Sequence, residues 1–245
     1  KIPRVLSSPK STTFQHYLKQ RGRADVKSLT HWNSEGNIRG YKLYWHKNSN
    51  KQDASGKLAW EEDKTIPKNS PIHTEIRPVK PHALFNGRIR FENLTEIELG
   101  ALLFVLDLPE KHYHKLGMGK PLGLGTVKIT PRLYLCDRIE RYSKLFDEDS
   151  WELSENESTI SEYKGIFEKH VLNRLSSQEK GQAQSLWDIT RMKQLKAMLD
   201  YQHANEPEWS EATRYLLIEN PGNEYRRRPV LPEPLDVKEQ YRKKK

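Results

Sequence analysis

TEIELGALLFVLDLPEKHYHKLGMGKPLGLGTVKI, Thr95–Ile129, joins a capped apolar helix, a glycine-punctuated basic loop and the start of a strand. Thr95 stands three residues ahead of Glu98, the spacing of a capping box in which a hydroxyl and a carboxylate each take an amide hydrogen of the first turn. Leu94 and Leu99 are placed to form a hydrophobic staple around it. Leu99–Leu108 carries Leu, Ala, Phe and Val on most faces, which predicts a largely buried helix, and Pro109 stops it. Past the loop, Thr126, Lys128 and Thr130 alternate with Val127 and Ile129, which reads as a strand over Gly125–Leu135.

The loop between them is the chemical signal. Gly117, Gly119, Gly123 and Gly125 follow a G-x-G-x3-G-x-G pattern, with Lys115 and Lys120 at the edge and His112 and His114 upstream. Glycine lets a backbone turn sharply and approach a partner closely. Amide hydrogens and lysines together cradle phosphate. A dinucleotide fingerprint would need glycine where Leu122 stands, and a Walker loop would need Ser or Thr where Pro121 stands. The loop also follows a helix instead of opening one, so the amide-rich helix N-terminus of those motifs is missing. A polynucleotide backbone therefore fits better than a small nucleotide.

Working outward, residues 1–47 form a basic entry segment ending in a strand over Ile38–Trp45, where Tyr41, Leu43 and Trp45 alternate with Lys42, Tyr44 and His46. Residues 48–70 are polar and read as a flexible loop or insertion. Residues 71–139 make the core: extended runs at Ile72–Val79 and Ala83–Phe91, then the helix, the glycine loop and the strand. Helical spacing of apolar residues over Ser161–Leu175 and Leu186–Tyr201 makes 140–219 a helical extension, and 220–245 reads as an extended basic tail with Arg226–Arg228 and Lys243–Lys245. The order strand, helix, loop, strand is half of a ferredoxin-like (RRM-like) βαββαβ fold. The expected class is α+β, with that core incomplete at its N-terminus and a C-terminal helical extension.

Composition narrows the classes. The 245 residues carry a net charge of +9, with 31% charged and 35% apolar residues, and a mean hydropathy of −0.90. Such a basic excess attracts anionic partners. Cys136 is the single cysteine, which excludes an intrachain disulfide and a thiolate metal cluster. The longest apolar segment, Leu99–Leu108, is about half a membrane span. The chain begins at Lys1, so a preceding segment is expected.

The run from Gly87 to Ile129, with RVLSSPKSTTFQHYL (Arg4–Leu18) and IRGYKLYWHK (Ile38–Lys47) in the same order, resembles the RAMP superfamily of CRISPR-associated proteins. It is most similar to the backbone subunits of type III effectors, or to the last RAMP domain of single-chain multi-RAMP effectors. The resemblance implies a RAMP core at 71–139 and a scaffold that holds guide RNA (crRNA) for target RNA recognition in antiviral defence. It also implies partnership with other RAMP subunits or domains, a prokaryotic cytoplasmic location and no membrane. Cleavage in such assemblies uses an early-core aspartate that has no counterpart here, so catalytic residues are unknown. No cofactor is expected in this segment; any magnesium belongs to neighbouring catalytic subunits of the RNA-guided endoribonuclease. The expected RNA-binding set is Lys115, Gly117, Gly119, Lys120, Gly123 and Gly125 of the loop, with Arg39, Lys42, Trp45 and His114.

Blander readings compete. The glycines can serve as a structural turn, and Ile38–Lys47 as an ordinary half-buried strand rather than a base-stacking surface. His112 and His114 suit surface or RNA-stacking positions better than acid–base cleavage, since no nucleophile is identifiable. A third ligand for a metal is not evident, and Glu61-Glu62-Asp63 reads as solvated loop. Two other functions stay open: an RNA endonuclease that processes guides or cuts targets, and a protein-docking subunit without direct RNA contact.

Overall fold

The computed structural model describes residues 1–3, 11–20, 26–39, 43–48, 62, 66–143, 146, 154–216 and 223–243. The chain is mixed helix and sheet, with seven α-helices and two small antiparallel two-stranded sheets among the described residues. It divides into two compact units that interleave in sequence. The first comprises Lys1–Ala83, Tyr113–Val127 and Gln194–Lys245, and the second Leu84–His112 and Lys128–Lys193.

The second unit is built on α1 (Glu96–Leu106). Its capping box forms as the sequence predicts: Thr95 Oγ1 accepts from the Glu98 amide at 3.3 Å, and the Glu98 carboxylate accepts the Thr95 amide at 2.8 Å. The helix ends two residues short of Leu108, with Asp107 as its C-cap. It buries Leu99, Gly100, Leu103 and Phe104 and half-buries the rest of Leu99–Leu108 apart from Val105, which is 60% exposed, in keeping with the largely buried helix expected. Gly100 is there for contact: a Cβ on it would lie 2.1 Å from the carbonyl oxygen of Tyr163 on α3 (Ile160–Leu172). Leu99 and Leu103 pack on Leu133 of β1 (Leu133–Cys136), joined by Phe91, Leu135, Ile160 and Tyr163. β1 pairs antiparallel with β2 (Glu155–Ser158), Leu133 opposite Ser158 and Cys136 opposite Glu155.

A second core of the same unit gathers Phe104, Leu172, Leu186 and Ile189, with Phe104 stacked on Trp187 at 5.0 Å. Polar ties hold its rim. Lys164 meets the Asp107 carboxylate at 2.8 Å, and Glu168 accepts from the Ser185 hydroxyl at 2.7 Å and the Leu186 amide at 3.0 Å. The helical run predicted over Leu186–Tyr201 becomes a 3-10 turn, Leu186–Asp188, followed by α5 (Thr190–Leu199), because the Ser185–Asp188 capping box closes a separate turn first.

Two predicted strand segments differ. Ile72 falls in a turn, while 73–80 and 83–91 run without turn or bend but belong to no sheet among the described residues; from Leu84 to Leu94 no backbone hydrogen bond to a described residue forms. The strand predicted over Gly125–Leu135 breaks into the short β4 (Thr126–Val127), which belongs to the first unit, and β1. Pro131 lies in the break and has no amide hydrogen to give a ladder.

In the first unit, residues 11–20 pack Phe14 and Leu18 inward and cross residues 37–39 through a bridge between Leu18 and Ile38. Beyond that bridge the strand predicted over Ile38–Trp45 does not continue as a ladder through 43–45, and 40–42 lie outside the described residues. The tail predicted as extended contains α7 (Pro234–Lys243). Proline suits a first helical turn, and Tyr241 of α7 is buried beside Trp209, its hydroxyl donating to Glu206. Lys238 of α7 meets Asp200, and the Leu235 amide donates to Gln194 at 3.0 Å.

Candidate nucleic-acid interface

The glycine loop lies in the first unit, on a hairpin. β3 (His114–Lys115) pairs antiparallel with β4, His114 opposite Val127 and Lys115 opposite Thr126, and the Leu116 amide donates to the Gly125 carbonyl at 2.8 Å. Between them the chain makes a single 3-10 turn, Lys120–Leu122, entered through Gly119 and left through Gly123, with Pro121 and Leu122 buried beneath it. All four loop glycines adopt left-handed φ: 73° at Gly117, 70° at Gly119, 95° at Gly123 and 76° at Gly125.

Their surroundings differ: a Cβ on Gly119 would lie 2.8 Å from Leu124 Cδ1 and 2.9 Å from Ile76 Cδ1. A Cβ on Gly123 would lie 2.0 Å from the Lys47 carbonyl oxygen, and one on Gly125 would lie 1.8 Å from that of Leu116. These two glycines serve close approach within the chain. Gly117 faces open space. It sits in an exposed tip with Leu116 (55%) and Met118 (68%). The amide hydrogens of Gly117, Met118 and Gly119 meet no acceptor among the described residues.

The lysines are ordered by the loop's own carbonyls. Lys115 Nζ donates to Gly123 O at 2.9 Å and Leu124 O at 3.2 Å, and Lys120 Nζ donates to Gly117 O at 2.6 Å. Burial, reinforced by repulsion from Lys47 and Lys120, lowers the Lys115 ammonium from 10.5 to about 7. Lys115 is therefore an internal strut, while Lys120 stands at the tip.

The support beneath the hairpin is His46, which in the sequence stands out only as one position on a strand face. His46 is fully buried; its Nε2 lies 2.8 Å from the Tyr113 carbonyl and its Nδ1 2.9 Å from the Thr126 hydroxyl. A carbonyl only accepts, so Nε2 carries the proton, and in the neutral ring Nδ1 accepts from Thr126. One imidazole thus ties 43–48 to both arms of the hairpin. Trp209, 2% exposed, donates its indole N–H to the His46 carbonyl at 3.0 Å, and Tyr113 and Tyr201 flank the imidazole. The sequence signal that could have found His46 is its place on the opposite face from Leu43 and Trp45.

The remaining predicted residues are dispersed. Trp45 is half-buried and sets its ring edge-to-face with Trp209 at 5.2 Å, so it packs within the unit. Arg39 donates to the carbonyls of Leu231, at 2.5 Å, and Pro232. Burial lowers its pKa, while Glu233 and Asp236 oppose the shift. His114 is half-buried in β3, and Lys42 lies outside the described residues. His112 Nδ1 sits 2.7 Å from the Glu110 carbonyl. Neighbouring Lys47 reaches the Thr213 carbonyl at 3.3 Å and the Tyr215 ring at 5.4 Å. Chemically, the loop offers a preshaped set of amide donors and an ammonium group, suited to oxyanions and to binding without covalent chemistry. No protein-family model matches the chain, and no curated protein matches it in sequence.

Proposed function

We propose that the chain is an RNA-binding, RAMP-type backbone segment of a type III CRISPR effector, holding guide RNA for target recognition on a ferredoxin-like core shared with neighbouring RAMP subunits or domains. The observation that carries this reading is the tip of the glycine loop. Three successive backbone amides, Gly117 to Gly119, and the Lys120 ammonium lie at an exposed turn braced from below by Lys115 and His46. Backbone amides and a lysine contact phosphates without reading bases, which is what a scaffold for guides of arbitrary sequence requires. On this reading the work of the segment is binding, its setting is the prokaryotic cytoplasm, and any magnesium-dependent cleavage belongs to neighbouring subunits.

The test is native purification followed by sequencing of co-purifying RNA, then titration of that RNA against the parent and a Lys120→Glu variant. RNAs of uniform length sharing a repeat-derived end, bound at least tenfold more weakly by the variant, are expected. Affinity should fall with salt at a slope of about −0.7 per phosphate contacted. A nucleic-acid-free protein whose affinity for such RNA ignores Lys120 would defeat the proposal. Lys120 is chosen over Lys115 because Lys115 holds two loop carbonyls, so its loss would alter shape and charge together.

A further inference from the structure

The second unit presents one strand-like segment without a strand partner. Residues 84–90 are exposed throughout, with Leu84 at 94%, Phe85 at 80% and Ile89 at 58%. None of their backbone amides or carbonyls is paired with a described residue. The segment is nonetheless anchored, because Phe91 packs with the α1–β1 core and Glu92 meets Arg138 at 3.3 Å. An extended backbone with an open row of donors and acceptors is a template for strand addition.

The same unit carries a candidate complement. β2 pairs only with β1 among the described residues, leaving its other edge open, and Glu155 and Glu157 stand exposed at alternate positions along it. Arg88 and Arg90 have the same alternate spacing on the open segment, with no acidic residue between Arg77 and Phe91. We propose that Gly87–Arg90 of one copy adds antiparallel to the open edge of β2 of a second copy, with Arg88 opposite Glu157 and Arg90 opposite Glu155.

This register has a consistent inside and outside. Glu157 stands opposite Tyr134, which is 46% exposed, so the Arg–Glu pairs fall on the outer face. Ile89, one residue out of phase and opposite Asn156, then extends the inner face that Leu133 lines. Self-pairing of two Leu84–Phe91 segments about Ile89 would instead set Arg88 against Arg90, and like charges directly opposite repel. The contact joins two different surfaces, so a pair either closes through the reciprocal contact about a two-fold axis or adds further copies head to tail. It rests on the second unit alone and does not depend on the RNA reading.

The experiment is sedimentation velocity of the nuclease-treated full chain from low to several hundred micromolar, with hydrogen exchange read at residues 84–91 and 155–158. Species larger than the 28.8 kDa monomer should grow with concentration while both stretches gain protection. The pair Arg88→Glu/Arg90→Glu should stay monomeric alone, as should Glu155→Arg/Glu157→Arg, and a one-to-one mixture should associate again. Circular dichroism checks that each variant folds, and the exchange readout on the parent stands if one does not. A parent that is monomeric throughout with freely exchanging amides overturns the proposal, leaving the arginines as guards of an exposed edge. So does an assembly that vanishes on nuclease treatment or survives both charge reversals.

Discussion

Single residues carry most of the loop's definition, and their roles can be ranked. Gly123→Ala places a methyl 2.0 Å from the Lys47 carbonyl at a φ of 95°, so it meets steric and conformational penalties together. Gly117→Ala at a φ of 73° meets only the second, having open space around it. Left-handed backbone costs a non-glycine residue roughly 1–2 kcal/mol. Urea unfolding should therefore show a loss of about 1 kcal/mol for Gly117→Ala and a clearly larger one for Gly123→Ala. Lys115 gives the first unit a pH dependence. Its ammonium falls from 10.5 when unfolded to about 7 when folded. Between those values the unfolded chain binds more protons, so stability rises as pH increases from about 7 toward 10.5 and flattens beyond. Unfolding midpoints across that range should climb for the parent and lose this rise in Lys115→Met. His46→Phe keeps a ring but strands the Tyr113 carbonyl and the Thr126 hydroxyl, a loss of about 1–3 kcal/mol for two half-buried partners, measurable by the same unfolding curves.

At the scale of elements, α1 is where local chemistry and packing agree best. Thr95→Ala removes a formed capping box and should cost about 1 kcal/mol, seen as a lower thermal midpoint. This helix was legible in the sequence because its start, its apolar run and its stop are local signals: Thr95 with Glu98, Leu99 to Leu106, Pro109. The loop was legible for a related reason, since clustered glycines are needed where the backbone turns left-handed, and the left-handed φ values meet that need. What was illegible depends on distant partners. Alternation at Ala83–Phe91 signals a strand, yet a strand exists only when another backbone pairs with it, and none of the described residues does. Residues at β4 and β1 look like one strand until Pro131 removes a donor between them. α7 looked like a loose basic tail because a contact that seats it, Tyr241 against Trp209, links residues 32 apart in sequence. His46 was hidden for the same reason: its value lies in Tyr113 and Thr126, far along the chain.

For the whole molecule, the consequential feature is that the two units share the polypeptide in alternation. The chain passes between them after Ala83, His112, Val127 and Lys193. Neither unit is a contiguous piece that can be expressed by cutting at one place, and a single proteolytic nick in a connecting stretch leaves each unit still covalently stitched to the other. The order of synthesis is constrained too. The second unit cannot close until the ribosome has delivered residues up to Lys193, and the first must wait for the stretch from Gln194 that supplies α6 (Pro207–Ala212), Trp209 and α7. Until then His46 and Tyr113, which support the glycine hairpin, emerge without Leu199, Tyr201 and Trp209. The early half of this protein is thus born exposed, and its yield in a cell should depend on how quickly translation finishes the late half.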